Sequence, residues 1–143
     1  MFPRLTRTRG RRRRGAAALE FALILPVFLT LVLGMIELGR IVMVLQSLTY
    51  ASREGCRIAV LDGSTSSAVT SRVNQALGGS AITMPPATVV ITPSNPSSAA
   101  YDEPVTVTVQ VAYSQVSWLP TTHFVGSDAV LKASITMRRE TVK

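Results

Sequence analysis

The sequence predicts an α+β protein: a long N-terminal helix, transmembrane in its first half, then a short helix and a small three-stranded antiparallel sheet. Three observations carry that expectation. The 21-residue run Ala16–Ile36 is apolar except for Glu20 and Thr30. Apolar and small residues continue beyond it at steps of three and four, the spacing of one helical face. After Pro85 and Pro86 the composition turns to β-branched residues in strict alternation, the signature of strands with one buried face.

The chain opens with a basic tail. Its formal charge is +7 over 143 residues, and seven arginines (Arg4, Arg7, Arg9, Arg11, Arg12, Arg13 and Arg14) lie within the first fifteen positions. Beyond them, eight basic residues face eight acidic ones, so the rest of the chain is neutral. An arginine-rich tail can bind phosphates. One joined directly to an apolar segment instead sets membrane orientation, because positive residues flanking a span stay in the cytoplasm. We read Arg11–Arg14 in that second sense and expect no nucleic-acid partner.

At about 1.5 Å rise per residue, the apolar run reaches roughly 31 Å as a helix, against a hydrocarbon core of about 30 Å. The rest of a chain this short offers too little apolar mass to enclose a helix greasy on all sides. Pro26 is tolerable because local distortion or neighbouring helices satisfy the carbonyl it releases. A cleaved secretory signal fits less well: the run exceeds the usual ~7–15 residues, and GMIELGRIVM contains no A-x-A-like site. The expected division is a cytoplasmic leader at 1–15, a transmembrane helix at 16–36 and an extracytoplasmic helix continuation with its head at 37–143.

Leu38, Ile41, Val42, Leu45 and Leu48 draw a stripe that Ser52, Gly55, Cys56 and Ala59 continue with small side chains. One helix from about Ala17 to Val60 is expected, its second half packed on the head, with Glu37–Arg40 and Glu54–Arg57 as i,i+3 ion pairs. Gly34, Gly39 and Gly55 either weaken this helix or permit close packing. DGSTSS at Asp62–Ser67 breaks it. Val69, Val73, Ala76 and Leu77 predict a short amphipathic helix over Ala68–Leu77, stopped by Gly78 and Gly79. Strands are expected at Thr88–Thr92, Val105–Tyr113 and Val130–Arg139, with the turn-rich PSNPSS between the first two and an irregular connection, SWLPTTHFVGSD, before the third. The sheet should cover the second half of the long helix, whose stripe is otherwise exposed.

Catalytic chemistry finds few candidates. His123 is the only histidine and Cys56 the only cysteine, which excludes zinc sites built on His or Cys clusters and any intramolecular disulfide. Cys56, on the helical stripe, reads as a small packed thiol, with an intermolecular disulfide left open. His123, beside Phe124 and near Trp118, reads as a surface or half-packed residue. Asp102 and Glu103 precede Pro104 and suit a turn. No glycine-rich phosphate loop is present. The chain is read as non-enzymatic and without cofactor or metal.

The junction RRRRGAAALEF, with RRGAAALEFALILPVFLTLVLGMIELGRI and LTYASREGCRIAV after it, resembles class III prepilins at the processing site and, over residues 13 to 60, the TadE-like pseudopilins of tight-adherence (Flp) pilus systems. The resemblance implies that a prepilin peptidase, a membrane aspartic protease, cuts the bond Gly15–Ala16 on the cytoplasmic face. Ala16 then becomes the N-terminus and Glu20 the fifth residue. It further implies a place in the bacterial inner membrane, the head extracytoplasmic, and as partners other pilins or pseudopilins and inner-membrane assembly proteins. Small residues at Gly15–Ala18 would let the backbone extend into a protease cleft. Glu20 could meet the new amine of Ala16, one helical turn away or on a neighbouring subunit, which lowers the cost of a carboxylate near lipid. Two other readings stay open: an uncleaved single-pass anchor bearing a binding or sensing domain, and a secreted domain released by a signal peptidase.

Overall fold

The computed structural model describes residues 9–80, 85–117 and 129–139. Its elements are α1 (Arg9–Ala59), α2 (Ser66–Gly78), β1 (Thr88–Thr92), a 3-10 turn (Pro96–Ser98), β2 (Pro104–Ala112), α3 (Tyr113–Val116) and β3 (Val130–Arg138). The chain divides into two compact units, Met1–Ile36 and Glu37–Lys143. The fold is α+β, with a long N-terminal helix, a short second helix and a three-stranded antiparallel sheet in the order β1-β2-β3.

β2 is the central strand because its alternation is the purest. Val105, Val107, Val109 and Val111 are buried at 0–2 % exposure, and burying each contributes about 1.5–3 kcal/mol relative to leaving it in water. Register places Val107 opposite Ile91 and Ile135, and Val109 opposite Val89 and Ala133, so one apolar face runs across all three strands. On the other face Thr106 pairs with Thr136 and Thr108 with Ser134 through hydroxyl hydrogen bonds of 2.8 and 2.9 Å. Tyr113, expected to end the strand, instead begins α3 and is buried there.

The second half of α1 covers the apolar face. Val44, Leu48, Ala51, Ser52, Gly55, Cys56 and Ala59 are buried. This corrects the phase of the predicted stripe at its start: Leu38 and Val42 are 64 % and 52 % exposed, and Glu37 and Val44 point inward in their place. Apolar residues surround the helix on every side here, so periodicity alone does not settle which of them face the sheet. Ser52, the polar member of the stripe, donates to the Thr49 carbonyl at 3.0 Å and is buried without a lost hydrogen bond.

Gly55 explains the close approach of three elements. A Cβ there would lie 2.6 Å from Val73 Cγ2 on α2 and 3.3 Å from Val107 Cγ1 on β2. At Gly34 and Gly39 a Cβ would meet nothing within 4 Å. α2 starts two residues before the predicted boundary, because the Thr65 hydroxyl caps it by accepting from the Ala68 N–H. Its buried residues are Val69, Val73 and Leu77. Gly63 takes a positive φ of 68° in the α1–α2 loop, and Asp102 takes one of 62° in the turn before β2.

Candidate functional site

From Gly15 to Ile36 the side chains of α1 are exposed, apart from half-covered Leu25 and Val32. Gly15–Ala59 contains an 18-residue window of mean hydropathy 2.4, none of it buried, so the helix is long and apolar enough to cross a membrane. Thr30 donates to the Pro26 carbonyl at 2.8 Å. That bond satisfies the hydroxyl within the helix, as a lipid environment demands.

Gly15, Ala16 and Glu20 are all exposed on this helix. The helix begins at Arg9, earlier than predicted, so the backbone of Arg11, Arg12, Arg13 and Arg14 and the Gly15–Ala16 bond itself are helical. A Cβ on Gly15 would meet nothing within 4 Å, so packing within the chain gives no reason for glycine there. Ala16 and Glu20 stand four residues apart on the same helical face. Glu20 has no hydrogen-bond or ion-pair partner among the described residues.

Glu37 follows the apolar run and behaves differently from Glu20. It is only 5 % exposed, and its Oε1 accepts a 2.9 Å hydrogen bond from the Tyr113 hydroxyl. Arg40 Nε donates to the Val116 carbonyl. The expected Glu37–Arg40 pair is therefore replaced by two bonds to α3, a one-turn element that sequence periodicity does not announce. Glu37 Oε2 is buried without a partner.

The remaining charges of the head serve its packing. Glu54 pairs with Arg57 at 3.3 Å, as the spacing predicts, and with Arg72 of α2 at 2.6 Å. The hydrogen bond from Arg72 is the main reason its carboxyl titrates below the usual range; burial opposes this, and the positive charges of Arg57 and Arg72 assist. Arg139 is 8 % exposed. Its Nη1 donates to the carbonyls of Ser97 at 2.7 Å and Ala99 at 2.6 Å, and its Nη2 to Asp62 at 3.1 Å. It thus gathers the α1–α2 loop and the 3-10 turn at the end of β3, a role that its place at the edge of a strand pattern does not reveal. Cys56 is fully buried and its Sγ lies 3.4 Å from the carbonyls of Val105 and Ile135. Burial pushes its thiol up, so it is a packed thiol with no route to another chain while the head is folded.

Among the described residues no group of three or more His, Cys, Asp or Glu side chains could hold a metal ion. His123, Trp118 and most of the predicted 117–128 connection lie outside the described residues. No convergent nucleophile, base and oxyanion donor is found in the part that is described. The distinctive chemistry of the chain is therefore its exposed apolar helix and the small-residue and acidic junction at the start of it.

No curated protein and no solved structure matches the chain. The family model described as TadE-like protein matches residues 15–57. The match starts at Gly15, leaves the arginine-rich leader outside and runs through the apolar helix to the packed turn at Gly55 and Cys56. Over residues 15–57, the apolar helix and its packed continuation, this chain is similar to the TadE-like family.

Proposed function

We propose that the protein is a pseudopilin, a non-enzymatic membrane component of tight-adherence (Flp, type IVb) pilus assembly, matured by a prepilin peptidase at Gly15–Ala16. The observation that carries this reading is the coincidence of the family match with the exposed junction: the matched segment begins at Gly15, where Gly15, Ala16 and Glu20 are exposed and Glu20 has no partner among the described residues. The leader arginines Arg11–Arg14 hold the N-terminus in the cytoplasm, and the head lies on the far side of the inner membrane. To enter a protease cleft the helix unwinds around Gly15, where glycine costs a helix about 1 kcal/mol relative to Ala. Cleavage there removes all seven leader arginines and leaves the helix as anchor. Glu20 then faces the new Ala16 amine in its own chain or a neighbour's. The partners in this reading are the peptidase, other pilins or pseudopilins, and inner-membrane assembly proteins.

The mature N-terminus tests it. Intact-mass measurement of the membrane-extracted protein should show a chain starting at Ala16. Gly15→Leu should leave the leader in place, and Glu20→Ala should impair either processing or piliation. A wild-type chain that keeps its leader would instead identify an uncleaved anchor carrying a binding or sensing head.

A further inference from the structure

We propose that α3 is a two-state strap on the head, closed by Tyr113–Glu37 and Arg40–Val116 hydrogen bonds and open when Glu37 and Arg40 pair with each other. Three observations carry it. The strap is a single turn, with Ser117 N–H bonded to the Tyr113 carbonyl at 2.9 Å. It packs over Glu37, Arg40, Val44 and Leu131 with no space left for a water molecule. Beneath it one carboxylate oxygen of Glu37 is satisfied by Tyr113 and the other has no partner.

A buried, half-satisfied carboxylate raises the free energy of the closed state, since an unpartnered polar atom keeps its full desolvation penalty. Opening relieves it in two ways. Water reaches the orphaned oxygen, and Arg40, one turn along the same helix, becomes free to pair with Glu37 at i,i+3. Each state thus has its own set of partners for the same two charges, which is what a bistable element requires. The open state uncovers Tyr113 and Val116, 5 % and 3 % exposed when closed, and so creates an apolar patch on the head beside Glu37 and Arg40.

Hydrogen exchange on the full-length protein in detergent micelles tests the strap. In the wild type the Ser117 amide should exchange at least about a hundredfold faster than the central β2 amides, as expected for local rather than global opening. Tyr113→Phe removes the hydroxyl that donates to Glu37 and should speed Ser117 exchange about tenfold further. The double variant Glu37→Leu with Tyr113→Phe replaces both polar partners by apolar groups and should exchange more slowly than wild type, with β2 protection unchanged as the control for folding. Arg40→Gln, which keeps a donor for Val116 but cannot form the open-state ion pair, should also slow exchange. Ser117 protected as well as β2 in the wild type, or a double variant as fast as Tyr113→Phe, would overturn the proposal.

Discussion

Two glycines of one helix should respond in opposite directions to the same substitution. At Gly39 an added Cβ meets nothing within 4 Å, so Gly39→Ala gains the helix-propensity difference of about 1 kcal/mol. At Gly55 the same methyl would sit 2.6 Å from Val73 Cγ2 and 3.3 Å from Val107 Cγ1, against a carbon–carbon optimum of about 3.5–4.0 Å. Val73 is fully buried and β-branched on a helix, where one χ1 rotamer dominates. The side chain therefore cannot swing aside, and α2 has to retreat by about 1 Å. Overpacking of that kind costs about 1–3 kcal/mol, which offsets the propensity gain and leaves Gly55→Ala destabilised by about 1 kcal/mol. The two variants should thus differ by about 2 kcal/mol. In thermal unfolding of the head, followed by circular dichroism of the detergent-solubilised protein, that gap is about 8–16 °C for a domain of this size. Equal midpoints, or a more stable Gly55→Ala, would mean that α1, α2 and β2 do not meet as described.

Three further predictions follow from the head. Val109→Asp buries an unpaired charge in the central strand and should cost at least about 3 kcal/mol, read as loss of protease resistance. Arg139→Met leaves the carbonyls of Ser97 and Ala99 without their donor and should cost about 1–3 kcal/mol, with the earliest loss of exchange protection in the loops at 61–65 and 96–103. Because the folded state lowers the Glu54 carboxyl below its usual value of 4.5, its pairing with Arg72 stabilises the fold above that value and is lost as pH falls through the depressed one. Glu54→Gln should accordingly flatten the acid limb of the unfolding-midpoint profile below about pH 4.5, and an unaltered limb would show that the pair does not govern it.

The strands were readable because β-branched alternation has a period of two and only one face of it could be buried. β1 spans Thr88–Thr92 as the pattern predicts, and β3 differs by one residue. α2 was readable from Val69, Val73 and Leu77, and its earlier start turns on a single hydroxyl, that of Thr65. The stripe on α1 was readable only where small residues restrict the choice, from Leu48 onward. At Leu38 and Val42 every candidate face is apolar, and the packed one is chosen by the sheet. The contacts of Glu37 with Tyr113 and of Arg139 with Asp62 bridge 76 and 77 residues of chain. No local pattern encodes such pairs, and both residues resemble ordinary edge charges until the topology is known.

That contrast also separates what the chain needs for itself from what it offers to others. In the head, Glu37, Glu54, Asp62, Asp102, Arg72, Arg138 and Arg139 each take part in a hydrogen bond or ion pair within the chain, and Gly55 is required by its neighbours. Along the apolar part of α1 the reverse holds: Glu20 meets no described partner, Gly15 and Gly34 accommodate nothing, and the large apolar side chains are uncovered. A carboxylate beside a membrane-length apolar run is costly unless something pairs with it. Folding of the chain alone supplies no reason to keep Glu20. In the function proposed above, its partner comes from outside the fold: an enzyme that reads the junction, the amine its cut would create, or a neighbouring helix.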